Sequence, residues 1–94
     1  MKIVWTRRTL RDIDQAFAFV ARDDSAAASA LVAAIEARAA ALAEHPEIGR
    51  PGRVDGTREL VLSGFPYILP YRVRDGRIEI LAAFHTSRAW PDHL

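Results

Sequence analysis

The pair Asp75-Gly76 constrains the fold of this chain more than any other feature, because it lies between two alternating apolar runs. A two-residue type I′ turn needs positive φ at both central positions, and Asp-Gly is a preferred pair for it. The flanking runs, 67–74 and 77–84, are therefore predicted to form an antiparallel hairpin in which Arg74 lies opposite Arg77.

This register predicts one apolar face and one polar face for the hairpin. The apolar face comprises Tyr67, Leu69, Tyr71 and Val73, opposite Phe84, Ala82, Ile80 and Ile78 respectively. The polar face pairs Arg72 with Glu79, a favourable cross-strand combination. Pro70 lies in the middle of the first strand and cannot donate a ladder hydrogen bond, so we expect a local irregularity there.

The first part of the chain predicts a short strand followed by a helix. Lys2 to Trp5 is the strand, and Thr6 is a candidate N-cap of a helix that runs to about Arg22, with Thr9 as the competing cap. Apolar residues recur at steps of three and four along this helix, which predicts a single buried stripe. The stripe comprises Leu10, Ile13, Phe17 and Val20.

A second helix is predicted over 26–44, after the break and cap at Asp23-Asp24-Ser25. Its apolar stripe comprises Leu31, Ile35, Ala39 and Leu42, with Ala28 and Val32 beside it. The connection is short, so the two helices should form an antiparallel hairpin, which Pro46 ends.

The element order is β-α-α-β-β-β once a strand from Arg58 to Leu62 is added. This order predicts an α+β fold, in which the helical hairpin packs on one face of a mainly antiparallel four-stranded sheet. The 94 residues are expected to form a single domain, residues 1–94. A loop rich in Gly and Pro joins the helices to the sheet and carries Arg50 and Arg53.

Composition predicts a cytoplasmic protein. The chain has no Cys, which excludes thiolate metal sites and suits a reducing compartment. Neither a signal-peptide core nor an apolar run of membrane-spanning length is evident, so no membrane partner is expected. The formal net charge is +1, which gives no bulk electrostatic indication of a nucleic-acid partner.

Few residues offer chemistry. The three His residues lie far apart and have no carboxylate at metal-ligand spacing, so neither a metal nor a cofactor is predicted. His85, at the end of the last strand, could act as acid or base beside arginines that bind phosphate, as in metal-free RNA cleavage. Those arginines are Arg50, Arg53, Arg58, Arg72, Arg74 and Arg88. The alternative is a capping histidine and solvated arginines. Trp90 could stack on a base, anchor a protein interface or hold the tail on the sheet.

Several segments together resemble the RelE/ParE superfamily of type II toxins, and specifically its ParE-like branch. They are Trp5-Thr6, His45-Pro46, Gly49-Arg50-Pro51-Gly52-Arg53, Gly56-Thr57-Arg58-Glu59-Leu60, the two strands of the hairpin, and Phe84-His85-Thr86-Ser87-Arg88-Ala89-Trp90-Pro91. The Arg-Pro-Gly-Arg and His-x-x-Arg-x-Trp-Pro segments are the most specific of these, and the resemblance covers essentially the whole chain.

The resemblance implies a bacterial toxin that forms a hetero-oligomer with a cognate antitoxin, a ParD-like or similar small DNA-binding protein. The antitoxin is expected to contact the helical hairpin through Leu10, Ile13, Phe17, Leu31 and Ile35. ParE-like members poison DNA gyrase, whereas RelE-like members cut mRNA on the ribosome without a metal.

The sequence departs from the ribonuclease pattern. Lys2 is the only lysine, no tyrosine follows Tyr71, and the middle strand begins Tyr67-Ile68 where related ribonucleases place an arginine. The resemblance therefore favours a non-hydrolytic gyrase poison. Its expected target-binding residues are Arg50, Arg53, Arg58, Arg72, His85, Arg88 and Trp90. The alternatives are a ribonuclease that uses His85 and Arg72, and a module that binds antitoxin but has lost toxicity.

Overall fold

The computed structural model describes residues 1–87. Within that range two helices pack on one face of a sheet, which confirms the predicted α+β architecture. The elements are β1 (Lys2–Trp5), α1 (Arg7–Ala21), α2 (Ser25–Glu44), β2 (Arg50–Pro51), β3 (Arg58–Val61), β4 (Tyr67–Arg74), β5 (Arg77–Ile80) and β6 (Phe84–His85).

The strands follow the order β1-β5-β4-β3-β2, and β6 also pairs with β4. β1 and β5 are parallel, and the other pairs are antiparallel. The short strands β2 and β6 extend the predicted four-stranded sheet. Each has only two residues, which is too short for the alternation that identifies a strand from sequence.

Both threonines at the start of α1 have a structural role, but only one is the cap. Thr6 is the N-cap, and its hydroxyl accepts the amide N–H of Thr9 at 3.2 Å. The two hydroxyls also donate to the carbonyl oxygen of Ile80, at 2.8 Å from Thr6 and 2.6 Å from Thr9. Thr9, the competing cap, is instead a fully buried link between α1 and β5.

The buried face of α1 differs from the predicted stripe. Thr9 and Ala16 are its buried residues, and Ile13 is half-buried. Leu10 and Phe17, expected inside, are 51% and 39% exposed. The small side chains of Thr9 and Ala16 allow α1 to pack closely on its neighbours. With these residues facing inwards, the larger Leu10 and Phe17 lie on the outward side of the helix.

The stripe predicted for α2 is confirmed. Its buried residues are Ala28, Leu31, Ile35, Ala39 and Leu42. Within residues 1–87, α2 is also the one helix long and apolar enough to cross a membrane by length and composition. Because its largest apolar side chains belong to the core that packs on the sheet, we attribute this composition to a core helix.

The hairpin has the predicted turn, with φ of 53° at Asp75 and 72° at Gly76. The register is as predicted from Arg74 opposite Arg77 to Tyr71 opposite Ile80.

Beyond Ile80 the register changes by one residue, so that Tyr67 pairs with His85 instead of Phe84. The pairings predicted for Tyr67 and Leu69 are therefore wrong, and the irregularity expected at Pro70 is confirmed. The carbonyl of Pro70 accepts the N–H of Leu81 at 2.8 Å, whereas its nitrogen has no hydrogen to continue the ladder on that side.

The pairing assigns each strand residue to one of two faces, because residues directly opposite each other project to the same side of a sheet. The helix face carries the core residues Ile3, Trp5, Leu60, Leu62, Tyr67, Leu69, Tyr71, Ile78 and Ile80. The opposite side, here named the far face, carries Lys2, Val4, Arg50, Glu59, Val61, Ile68, Pro70, Arg72, Arg74, Arg77, Glu79 and Phe84.

Candidate functional site

The segment that joins α2 to β3, residues 46–57, is named the arginine loop, and the buried carboxylate of Glu59 fixes one side of it. Glu59 is 3% exposed and accepts the Nε–H of Arg50 at 3.0 Å. The Nη2 of Arg50 lies 2.9 Å from the same oxygen, and the N–H of Arg53 donates to the other oxygen at 3.1 Å. The side chain of Arg50 nevertheless stays 55% exposed, so the clamp presents this cation at the sheet edge.

Arg58 and Tyr71 fix the other side of the arginine loop. The Nη1 of Arg58 donates to the carbonyl oxygens of Gly49 at 2.8 Å and Glu47 at 3.2 Å. The Tyr71 hydroxyl donates to the Pro46 carbonyl at 2.7 Å and accepts the Gly49 N–H at 2.9 Å. Burial raises the pKa of the Tyr71 phenol above its ordinary value, so it remains a donor at physiological pH. Arg58, predicted to bind a target, therefore also holds the loop.

Arg72 lies on the far face and forms an ion pair with Glu79 at 2.6 Å. The hydrogen bond from Arg72 lowers the pKa of the Glu79 carboxyl, and Arg74 and Arg77 add to that effect. Arg72 follows Pro70 and Tyr71 in β4. Tyr71 pairs with Arg58 of β3, and Pro70 pairs with Glu59, whose carboxylate binds Arg50. Three of the predicted target-binding residues, Arg50, Arg58 and Arg72, are thus brought to the same end of β4.

His85 lies at the other end of β4. Its ring makes an edge-to-face contact with Tyr67, with 5.2 Å between the ring centroids. Its Nδ1 accepts the N–H of Ser87 at 3.1 Å, and the Ser87 hydroxyl lies 2.7 Å from the same nitrogen. Because Nδ1 is an acceptor in this arrangement, the neutral ring carries its proton on Nε2.

His85 and Arg72 do not form one site. His85 pairs with Tyr67, five residues before Arg72, which separates them by about 16 Å along the strand. His85 shares the helix face with Tyr67, whereas Arg72 projects from the far face. The interpretation that placed His85 among Arg72 and Arg74 is therefore wrong. That interpretation assumed that residues close to the hairpin in sequence also lie together in space. The eight residues of β4 instead place them at its opposite ends. The predicted Arg88 and Trp90 lie outside the described residues.

A groove of about 380 Å³ lies on the helical side of the molecule. It is lined by Trp5, Leu10, Ile13, Val32, Ile35 and Glu36. The exposed side chains of Leu10 and Phe17 place further apolar surface on α1.

The residues predicted to contact an antitoxin are not all accessible at the surface. Leu10 and Phe17 are accessible, and Ile13 lines the groove. Leu31 is fully buried in the core, so its assignment to a surface is wrong, and Ile35, 1% exposed, is at most the floor of the groove. Sequence reasoning missed Trp5 and Val32. Val32 stands beside the core stripe of α2, the position at which a flanking groove forms.

Among residues 1–87 no group of three His, Asp or Glu side chains is arranged to hold a metal ion. The described surfaces present cationic side chains at the arginine loop and the far face, and apolar side chains at the groove. A fixed arginine loop, a cationic sheet face and an open helical groove together suit a small protein that binds other macromolecules.

Comparison with known proteins defines the class. The family model described as "ParE toxin of type II toxin-antitoxin system, parDE" matches residues 3–90. The candidate toxin Y4kP of Sinorhizobium fredii is 49% identical over 94 residues, covering 99% of this chain and 96% of that protein. Toxin RelE2 of Caulobacter vibrioides is 33% identical over 87 residues, covering 93% and 97%.

A solved structure, described as the chromosomal ParDE toxin–antitoxin system from P. aeruginosa, contains a chain with the same fold. Its TM-score is 0.81 at 29% identity, and the match covers 93% of this chain and 97% of that one. The protein is a type II toxin of the RelE/ParE superfamily. Within it, the chain belongs to the ParE toxin family.

Proposed function

We propose that this toxin inhibits growth by binding DNA gyrase, without cutting a nucleic acid, and that a cognate antitoxin neutralises it. Family membership supports the class of target, and the separation of His85 from Arg72 carries the non-hydrolytic part of the proposal. A general base must lie within hydrogen-bond reach of the proton it removes, beside the groups that stabilise the developing charge. Residues about 16 Å apart on opposite faces of a sheet do not meet that requirement.

In this proposal the arginine loop and the adjacent strand β4 form the target-binding surface. Glu59, Arg58 and Tyr71 hold the loop in one conformation, which lowers the conformational entropy that binding would otherwise cost. Arg50, Arg53 and Arg72 are the residues proposed to contact the target. Both gyrase and the toxin would act in the cytoplasm.

The helical groove is the proposed site of the antitoxin. An amphipathic segment could insert apolar side chains between α1 and α2 and cover Leu10 and Phe17. Such binding would stabilise the toxin by mass action, since only the folded chain presents the groove.

The test is a supercoiling and DNA-cleavage assay with purified gyrase and purified, folded toxin. Wild-type toxin should reduce supercoiling in a dose-dependent way and accumulate cleaved DNA, and Arg53→Ala and Arg72→Ala should weaken both effects. Arg22→Ala, at the far end of α1, is the matched control. Arg50 and Arg58 are unsuitable test positions because their loss would disturb Glu59 and the loop.

A second pair of measurements separates the two activities. His85→Ala should leave gyrase inhibition unchanged, and wild-type toxin should not cut mRNA on translating ribosomes. Unaffected gyrase, together with RNA cleavage that His85→Ala abolishes, would overturn the proposal.

A further inference from the structure

The pairing of three strands aligns three cations in one row across the far face. Lys2 of β1 lies beside Arg77 of β5, and Arg77 lies opposite Arg74 of β4. All three residues are exposed. This set of three is named the cation row. Neighbouring strands are about 4.8 Å apart, so the row extends about 10 Å across the sheet.

Few carboxylates offset the cation row. Glu79 is the acidic residue next to it on the far face, and Arg72 already binds that carboxylate at 2.6 Å. Asp75 lies 3.8 Å from Arg74 and is 74% exposed in the turn. Among residues 1–87, no carboxylate forms an ion pair with Lys2 or Arg77. Like charges directly opposite each other destabilise a sheet, so the arrangement is better explained by an anionic partner than by folding.

We infer that the cation row binds the phosphodiester backbone of a nucleic acid, without reading its sequence. A DNA duplex presents one negative charge per about 1.7 Å of its axis, so several phosphates fall within the length of the row. Arg74 and Arg77 contribute guanidinium forks that match phosphate oxygens. Phe84, opposite Ile68, is the one aromatic residue among the described strand residues of the far face. Ile68 is six residues from Arg74 along β4, so the described strands place no aromatic ring beside the cation row, which fits backbone contact alone.

The cation row does not include the arginine loop, but it shares β4 and the far face with Arg72 of the proposed target-binding surface, two residues from Arg74. The inference is nevertheless independent of the identity of the toxin's target. It concerns binding of nucleic acid by the free toxin, so failure of the gyrase assay would leave it standing.

The experiment measures fluorescence anisotropy of a labelled 20-base-pair DNA duplex titrated with wild-type toxin at 50 and 200 mM salt. An RNA duplex of the same length is titrated in parallel. Three phosphate contacts give a slope of about −2.7 in log K against log salt, which is a loss of about 40-fold in affinity between the two salt concentrations. Arg74→Ala/Arg77→Ala should remove about two-thirds of that slope.

The matched control is Arg11→Ala/Arg22→Ala, which removes the same charge from an exposed position of α1 and from its exposed C-cap residue. It should bind as wild type does. Thermal melting of both double variants establishes that each is folded.

Equal binding of the DNA and RNA duplexes supports a contact with the phosphodiester backbone. A preference for one duplex also supports it, and identifies which nucleic acid the toxin binds. Three results would overturn the inference. They are no binding at 50 mM salt, equal losses in the two double variants, and tighter binding of poly-L-glutamate than of either duplex at equal charge concentration. The last would assign the cation row to an acidic protein partner.

Discussion

The hydroxyl of Tyr71 accepts the amide N–H of Gly49 at 2.9 Å, and this contact leaves no space for a side chain at position 49. A Cβ there would lie 2.5 Å from Cε1 of Tyr71 and 3.0 Å from the carbonyl oxygen of Glu59. Tyr71 belongs to the core, so the contact fixes the arginine loop directly to the centre of the sheet. The shape of the proposed target-binding surface therefore depends on packing beneath it.

Gly49→Ala should destabilise the protein by about 2–3 kcal/mol, because overpacking against a buried ring and backbone forces the loop to move. Urea denaturation measures this cost. Gly56→Ala is the matched control, since its Cβ would meet nothing within 4 Å and its φ of +80° accounts for its cost. That control should lose about 1 kcal/mol. A Gly49→Ala cost no larger than that of Gly56→Ala would mean that the Tyr71 contact does not constrain the loop.

Tyr71 should make stability fall at alkaline pH. Burial raises its pKa in the folded state, so above about pH 10 the folded chain holds a proton that the unfolded chain has released. The stabilisation is fully present below the unfolded pKa and is lost as pH rises through the folded one.

Urea denaturation of wild type and Tyr71→Phe from pH 8.5 to 11 measures this effect. The stability difference between the two proteins should shrink as pH rises. Tyr67→Phe is the control, because the Tyr67 hydroxyl has no hydrogen bond to a residue within 1–87. A pH-independent difference between wild type and Tyr71→Phe would contradict the predicted linkage.

The exposed apolar residues of α1 should separate binding from stability. Phe17→Asp is expected to weaken antitoxin binding at least tenfold, because Phe17 shares its helical side with Leu10 and the groove. At 39% exposure it should cost the free toxin little stability. Phe19 is 51% exposed but about 180° away around the helix, so Phe19→Asp is the control. Calorimetric titration with the cognate antitoxin measures the affinity of each variant. Equal losses of affinity in Phe17→Asp and Phe19→Asp would show that the groove is not the antitoxin-binding site.

Arg77 should be unfavourable for folding, because it lies between Lys2 and Arg74 in the cation row. Arg77→Gln should therefore raise the free energy of unfolding by about 0.5 kcal/mol at low salt, and the gain should shrink in 0.5 M NaCl as charges are screened. Urea denaturation at the two salt concentrations measures the change. A loss of stability at low salt would show that Arg77 forms favourable contacts that offset the repulsion.

Features set by local chemistry were predictable from the sequence. The Asp75-Gly76 turn fixes four cross-strand pairs, and the alternation of Leu31 and Ile35 with small residues identifies the core side of α2. Features that depend on contacts between distant parts of the chain were not predictable. Thr9 is polar, so no apolar pattern places it at the centre of the α1 interface, where the carbonyl of Ile80 satisfies its hydroxyl.

The candidate site was predictable in composition but not in arrangement. The arginines of the loop over residues 46–57 were identified by their motif. Their fixation depends on the burial of Glu59 and on Tyr71, which is more than 20 residues from the loop positions that it contacts, and the motif reports neither. The separation of His85 from Arg72 follows from an eight-residue β4 and a register change after Ile80, and the hairpin signal reports neither.

The most direct test of a gyrase-directed, non-hydrolytic toxin is induced expression in a bacterium without antitoxin. A DNA-damage reporter and bulk protein synthesis are followed over the same first minutes. We expect an early damage response while translation continues, with His85→Ala as toxic as wild type. Immediate arrest of translation without a damage response would contradict the account and make the ribosome the target.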